Sequence, residues 1–286
     1  MVWIIHNGNL QDSEQPFLYH TNRAFSYGDG IFETMRVLNG YLHLWESHRL
    51  RVISSLRILD MELPEPLARN RLPEQVHQLL AANGTGANAR VRLSIYRQAG
   101  GLYSPTESRT NYTLEVMPLA EEQFVLNRKG LVIGTMDEPL KVSNKLASIK
   151  STSALPYVYA GIHKQKEGVD DLLITNSEHH IIEGLSSNLF IVTAGALFTP
   201  SLKEGCVAGV MRDHIIELAR QNGYEVVETS LNREAPLYAE ELFLTNAVKG
   251  IRWAGLHGWH QYDNAVAQQL IDKLNSHVPE YATHLS

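Results

Sequence analysis

The chain has 286 residues, a net charge of -6, 44% hydrophobic and 20% charged residues. That balance is ordinary for a soluble globular protein with room for one large or two modest domains, and the negative charge argues against a nucleic-acid backbone binder. The single cysteine, Cys206, cannot form an intrachain disulfide, no apolar run reaches the length of a membrane span, and the first residues read as a strand rather than a signal peptide, so a cytoplasmic location with no membrane partner is expected.

In chain order, Val2-Trp3-Ile4-Ile5 is strand-like and is followed by Asn7-Gly8. Ile31 to Leu38 reads as a strand, and Asn39-Gly40 signals a hairpin into Tyr41 to Leu44. Trp45 to Leu59 carries Leu50, Ile53, Leu56 and Leu59 at helical spacing, and Pro73 to Ala82 is a second helix with proline in its first turn. Arg90 to Tyr96 and Tyr112 to Met117 alternate as strands. The polar, acidic run from Pro118 to Gln123 is the candidate interdomain linker. Beyond it come strands at Leu131 to Gly134, Asp171 to Thr175, His180 to Glu183, Leu189 to Thr193 and Glu241 to Thr245, with helices at Ala154 to Lys166 and Met211 to Asn222. Strands and helices follow no regular alternation, which predicts α+β domains rather than a doubly wound sheet.

Most lysines are solvated surface groups, but Lys150 sits in Ala147-Ser148-Ile149-Lys150-Ser151-Thr152, among small and apolar residues and after Lys141 and Lys145. Neighbouring cations and partial desolvation both lower a lysine pKa, as a Schiff-base lysine requires. Glu183 ends an apolar strand and opens Glu183-Gly184-Leu185-Ser186-Ser187-Asn188-Leu189-Phe190, an ordered string more specific than any single residue. Its polar members, Ser187 and Asn188 among them, can supply hydrogen bonds around a pocket carboxylate. A lysine and a carboxylate of this kind can hold pyridoxal phosphate, the amine on the aldehyde and the carboxylate on the pyridinium nitrogen. Gly205-Cys206-Val207-Ala208-Gly209 runs into the helix that follows, where backbone N–H groups can meet an anion at the positive end of the dipole.

The lysine and glutamate motifs, with Phe25-Ser26-Tyr27-Gly28-Asp29-Gly30-Ile31-Phe32-Glu33-Thr34 near the N-terminus, resemble the class IV pyridoxal-phosphate enzymes, the D-amino-acid, branched-chain and aminodeoxychorismate lyase group. The resemblance covers most of the chain. It implies a two-domain α+β fold with a small N-terminal α/β domain over 1–118, a linker over 119–125, a larger cofactor-binding domain over 126–286, and pyridoxal 5'-phosphate in the cleft between domains. It implies Lys150 as the catalytic, cofactor-bearing residue and Glu183 as the ring partner. Among Arg49, Arg51 and Arg57 on one helix, Arg51 fits the family's phosphate register, three after His48 and four before Ser55. A planar fork on phosphate makes two hydrogen bonds at once. Backbone at Val210 and Met211, and the turn Thr245-Asn246-Ala247, complete the implied phosphate and substrate contacts. A homodimer is implied too.

Against the family pattern, Ser151 to Pro156 holds no tyrosine of the branched-chain kind, Phe32 stands where D-amino-acid enzymes often have tyrosine, and Gln98 to Pro105 lacks their Arg-x-His carboxylate trap. Arg90 and Arg92 share a strand face and are the replacement candidates for the substrate carboxylate, with Arg23 in reserve. The expected activity is transamination between amino acids, D-amino acids favoured, and 2-keto acids. The alternatives are a pyruvate-eliminating aminodeoxychorismate lyase, which Gly101 to Pro105 and Thr245-Asn246-Ala247 resemble, a branched-chain L-amino-acid aminotransferase, and an inactive relative.

Overall fold

A computed structural model describes residues 1–277 and 282–285. It divides into two compact units. The first holds Met1–Gln123, Lys150–Ala154 and the C-terminal strand Ala282–His284; the second holds Phe124–Ile149 and Leu155–His277.

The first unit runs β1 (Trp3–His6), β2 (Asn9–Asp12), α1 (Arg23–Tyr27), β3 (Gly30–Leu38), β4 (Tyr41–His43), α2 (Trp45–Ile58), α3 (Glu65–Ala68), α4 (Leu72–Ala82), β5 (Ala89–Arg97) and β6 (Thr110–Pro118). Its antiparallel sheet has the order C-terminal strand, β4, β3, β5, β6, β1, β2. Asn39 and Gly40 both adopt positive φ (51° and 81°), as a two-residue hairpin turn of the primed type demands. Period two then sorts the side chains. Ile31, Met35 and Val37 lie beside Val91, Leu93 and Ile95 on one buried face, against which α2 packs. Phe32, Thr34 and Arg36 lie beside Ser94, Arg92 and Arg90 on the other. Each buried aliphatic side chain contributes about 1.5–3 kcal/mol, so a one-residue slip of register would be costly.

The second unit runs β7 (Leu131–Thr135), α5 (Leu155–Glu167), β8 (Asp171–Thr175), β9 (Ile181–Glu183), β10 (Asn188–Thr193), β11 (Ala196–Pro200), α6 (Val210–Gln221), β12 (Val226–Thr229), β13 (Glu241–Asn246), β14 (Gly250–His257), β15 (His260–Gln261) and α7 (Ala265–Ser276). Its mixed sheet is ordered β12, β11, β10, β13, β14, β7, β8, β9, with β15 on β14. Leu189, Ile191, Leu242 and Leu244 share one apolar core with Ile133 and Leu173. On the opposite face Phe190 and Phe243 stack at 5.1 Å, and Asn188 pairs in register with Thr245 at the end of the same two strands.

One antiparallel and one mixed sheet, each with helices packed on it, agree with the expected α+β class. The domain limits differ from the sequence reading in three places; the expected linker 119–125 is divided, 119–123 in the first unit and 124–125 in the second. The C-terminal strand, expected in the second domain, adds to the first through β4. Lys150–Ala154 also joins the first unit, because its backbone bonds along the edge of β3.

Candidate active site

The N–H of Phe32 donates to the carbonyl of Lys150 at 2.9 Å, Ile31 bridges to Ser151, and the N–H of Thr152 donates to Gly30 at 2.9 Å. Lys150 therefore stands across from Phe32 on one sheet face. Its Nζ lies 4.5 Å from the centroid of the Phe32 ring, and Arg92 Cζ lies 4.1 Å from the same centroid. Two cations thus engage one aromatic face system, each attracted by the ring quadrupole. Burial pulls the Arg92 pKa down; Glu115 across the strand opposes this and Arg90 adds to it. The sequence pointed to Lys141 and Lys145 as the cations around Lys150. Lys145 is exposed and Lys141 is engaged elsewhere; the cation sharing the ring of Lys150 is Arg92.

Arg51 lies on the helix-covered side of β3. Its Nε and Nη2 donate to the two carboxylate oxygens of Glu33 at 2.7 and 2.5 Å, and His48 Nδ1 meets the same carboxylate at 2.7 Å. The bidentate edge expected to grip a phosphate is thus held by Glu33, which fixes the direction in which the guanidinium faces. Burial alone would push the Glu33 carboxyl up, but Arg51 and His48 outweigh it and hold the pKa at about 2. His48 is pulled below its ordinary value by burial, against Glu33, with Arg51 and Lys150 adding to the effect. Sequence reasoning missed Glu33 as a partner, although it stands inside the quoted Gly-Asp-Gly element.

That element is also a scaffold. A Cβ on Gly30 would come within 2.7 Å of the Ile95 carbonyl, so only glycine fits there. Asp29 takes Arg23 Nε at 2.7 Å and Arg97 Nε at 2.9 Å. Arg23 Nη1 donates to the carbonyls of Gly100, Gly101 and Leu102. Arg23 is buried, with Nε on the Asp29 carboxylate and Nη1 fastening that loop, so Arg90 and Arg92 are the candidates carried forward for the substrate carboxylate.

In the second unit Glu183 is 2% exposed. Its Oε1 accepts from Lys141 Nζ at 2.6 Å and from Tyr157 Oη at 2.8 Å, and its Oε2 accepts from the N–H of Val207 at 2.9 Å. Neither Lys141 nor Tyr157 was singled out as a partner of Glu183 from sequence. Asn188 donates to the Val207 carbonyl at 2.9 Å, and a Cβ on Gly209 would fall 1.8 Å from Asn188 Oδ1, so the entry to α6 closes tightly on Asn188. The helix begins at Val210 and Met211 with no side-chain cap. Asn246 Oδ1 accepts from the N–H groups of Val248 and Lys249, which shapes the turn carrying Ala247 and leaves the backbone of Asn246 as its expected contribution. Buried Ser187 Oγ and Thr245 Oγ1 have no hydrogen-bond partner among the described residues. An uncapped helix start and orphaned hydroxyls fit a phosphorylated ligand, and a buried carboxylate fits a pyridine nitrogen. Among the described residues no His/Cys/Asp/Glu group suits a metal, and no helix is long and apolar enough to cross a membrane.

The model of the amino-transferase class IV family matches residues 30–254. Aminodeoxychorismate lyase of Bacillus subtilis (strain 168) is 30% identical over 256 residues, covering 87% of this chain and 83% of that protein. D-alanine aminotransferase of Bacillus licheniformis is 22% identical over 259 residues, covering 85% and 84%. Among solved structures, the branched-chain aminotransferase from the thermophilic archaeon Thermoproteus uzoniensis with norvaline superposes with a TM-score of 0.87 at 21% identity, over 100% of this chain and 99% of that one. The chain belongs to the amino-transferase class IV family, and pyridoxal phosphate is its cofactor.

Proposed function

We propose that this enzyme transfers amino groups between amino acids and 2-keto acids, with D-amino acids the favoured donors. The observation that carries the reading is that Lys150 and Arg92 both lie against Phe32: a primary amine for the cofactor aldehyde and, at the same ring, a guanidinium for a substrate carboxylate. When bound, pyridoxal phosphate supplies that aldehyde and a ring that draws electrons from the substrate carbon. Lys150 would hold that aldehyde and, as the free amine, would be the base that takes the proton from the substrate Cα. Glu183 would be the carboxylate partner of the ring nitrogen. Arg51, the backbone at Val210, Met211 and Asn246, and Thr245 would each be contacts for the phosphate, with Ser187 and Asn188 shaping the turn beside Glu183. Arg92, with Arg90 beside it, binds the carboxylate, while Phe32 and Ala247 line the substrate. The buried thiol of Cys206 fits a cytoplasmic enzyme, and the exposed Leu155, Val158 and Ile162 of α5 support a homodimer.

Half-reaction spectra of the purified holoenzyme against D- and L-amino acids and (R)-amines test the reading. D-amino acids should bleach the cofactor band, and Lys150→Ala should lose both band and turnover. Full turnover in Lys150→Ala would end it.

A second reading, pyruvate elimination from aminodeoxychorismate, is supported by the likeness to the Bacillus subtilis lyase and by Thr245-Asn246-Ala247. Pyruvate release without any amino acceptor would favour the lyase.

A further inference from the structure

Lys141 has no part in that scheme, yet its side chain is only 10% exposed and its ammonium has three N–H donors with three partners. They are the Ala147 carbonyl at 3.0 Å, Tyr157 Oη at 2.9 Å and Glu183 Oε1 at 2.6 Å. Tyr157 closes the ring by donating to the same Oε1. Three separate pieces of the second unit build this cluster. Lys141 is fixed by its bridge to Asn176 just past β8, Tyr157 stands on α5, and Glu183 ends β9. A buried ion pair is weak evidence for stability, because apolar residues of similar volume would serve as well. Its presence at this carboxylate calls for another account.

The geometry points to Lys141 as a positioning residue that keeps the shared proton on the ring nitrogen of the bound cofactor rather than on Glu183. The inference rests on the reading that Glu183 faces that nitrogen. One proton between a pyridine and a carboxylate can sit on either base. In a dry site desolvation favours the uncharged arrangement, with the proton on the carboxylate. A cation 2.6 Å from Oε1 reverses this preference, since it stabilises only the ionised carboxylate. The other titratable neighbours do not compete. Burial, then Glu183, raises the Tyr157 phenol, which stays a neutral donor, and burial with Glu183 pushes the Cys206 thiol up to about 12. The contact with Ala147 has a second effect: the same ammonium fixes the turn that leads, three residues later, to Lys150.

The test uses holoenzyme reconstituted with ring-15N pyridoxal phosphate, read by NMR. It adds the dissociation constants for pyridoxal phosphate and for its analogue with carbon in place of the ring nitrogen. The wild type and Lys141→Arg should show a protonated nitrogen. Lys141→Met and Lys141→Gln should move toward unprotonated pyridine, and their preference for the nitrogen-containing cofactor should fall about tenfold or more, the scale of one pK unit. Tyr157→Phe, which keeps the cation, should stay at the wild-type position. The inference is overturned if Lys141→Gln keeps the wild-type resonance, if Tyr157→Phe moves as far as Lys141→Gln, or if Lys141→Arg loses the cofactor along with Lys141→Gln. A wild-type resonance that is insensitive to Glu183→Gln would instead sink the assignment of Glu183 as ring partner.

Discussion

Arg92 and Lys150 each lie against the ring of Phe32, 4.1 and 4.5 Å from its centroid. The ring of Phe32 is thus common to the proposed cofactor lysine and a half-buried guanidinium. On the proposed reading, Arg92 is the partner that a substrate carboxylate needs once it leaves water. Arg92→Gln should therefore raise KM for amino and keto acids about tenfold or more, leaving cofactor binding little changed and amines without a carboxylate much less affected. Arg90→Gln should do less, since Arg92 is the one over the ring. Unchanged KM for keto acids in both variants would place the trap elsewhere.

Glu183→Gln keeps the shape and the bond from Val207 but removes the charge. Cofactor should stay bound while turnover falls by roughly 10²-fold, the order expected for one well-placed electrostatic group. Near-normal turnover would show that the carboxylate does not serve the ring.

Arg51→Ala should weaken cofactor binding far more than Arg49→Ala. Arg49 donates to the Leu67 carbonyl, whereas Arg51 is aimed by the Glu33 carboxylate. Equal cofactor dissociation constants for the two variants would contradict the assignment of Arg51 to the phosphate.

The Glu33 carboxyl, held at about 2 against an ordinary value of 4.5, makes the fold sensitive to acid. A depressed carboxyl stabilises the native state above its unfolded pKa, and the contribution is lost as pH falls through the folded value. The loss is on the order of 3 kcal/mol between about pH 4.5 and 2. His48, also depressed, works in the same direction from higher pH. Urea unfolding at pH 5 and pH 3 should show a smaller difference for Glu33→Gln than for the wild type. Identical pH dependence would mean that the ion pair is not what acid breaks.

The Ile-Lys-Ser context and the Glu-Gly-x-Ser-Ser-Asn string were legible because each is local. So were the hairpin at Asn39-Gly40 and the alternation of β5, whose period two put Arg90 and Arg92 opposite Val91 and Leu93. Helix α7 was overlooked, although Ala267, Leu270, Ile271 and Leu274 recur at helical spacing and are buried. Other features left no local trace. Lys141 finds Glu183 across 42 residues of chain, and Arg23 finds its carbonyls about 77 residues away. Nothing near either residue distinguishes a buried donor from a surface one. Glu33 could have been noticed, since a carboxylate on the strand face that also carries Ile31, Met35 and Val37 must be paired if that face is covered.

The strand Ala282–His284 pairs with β4, a partner roughly 240 residues earlier, and Lys150–Ala154 lies along the edge of β3. During synthesis the first sheet therefore emerges from the ribosome with unsealed edges, and it waits for segments made much later. Such late long-range closure is slow and leaves strand edges open to other chains. A fragment ending at Gln123 would keep those edges bare, so this half of the enzyme should aggregate when expressed alone, and a tag that obstructs the last strand should lower the soluble yield before it touches the chemistry.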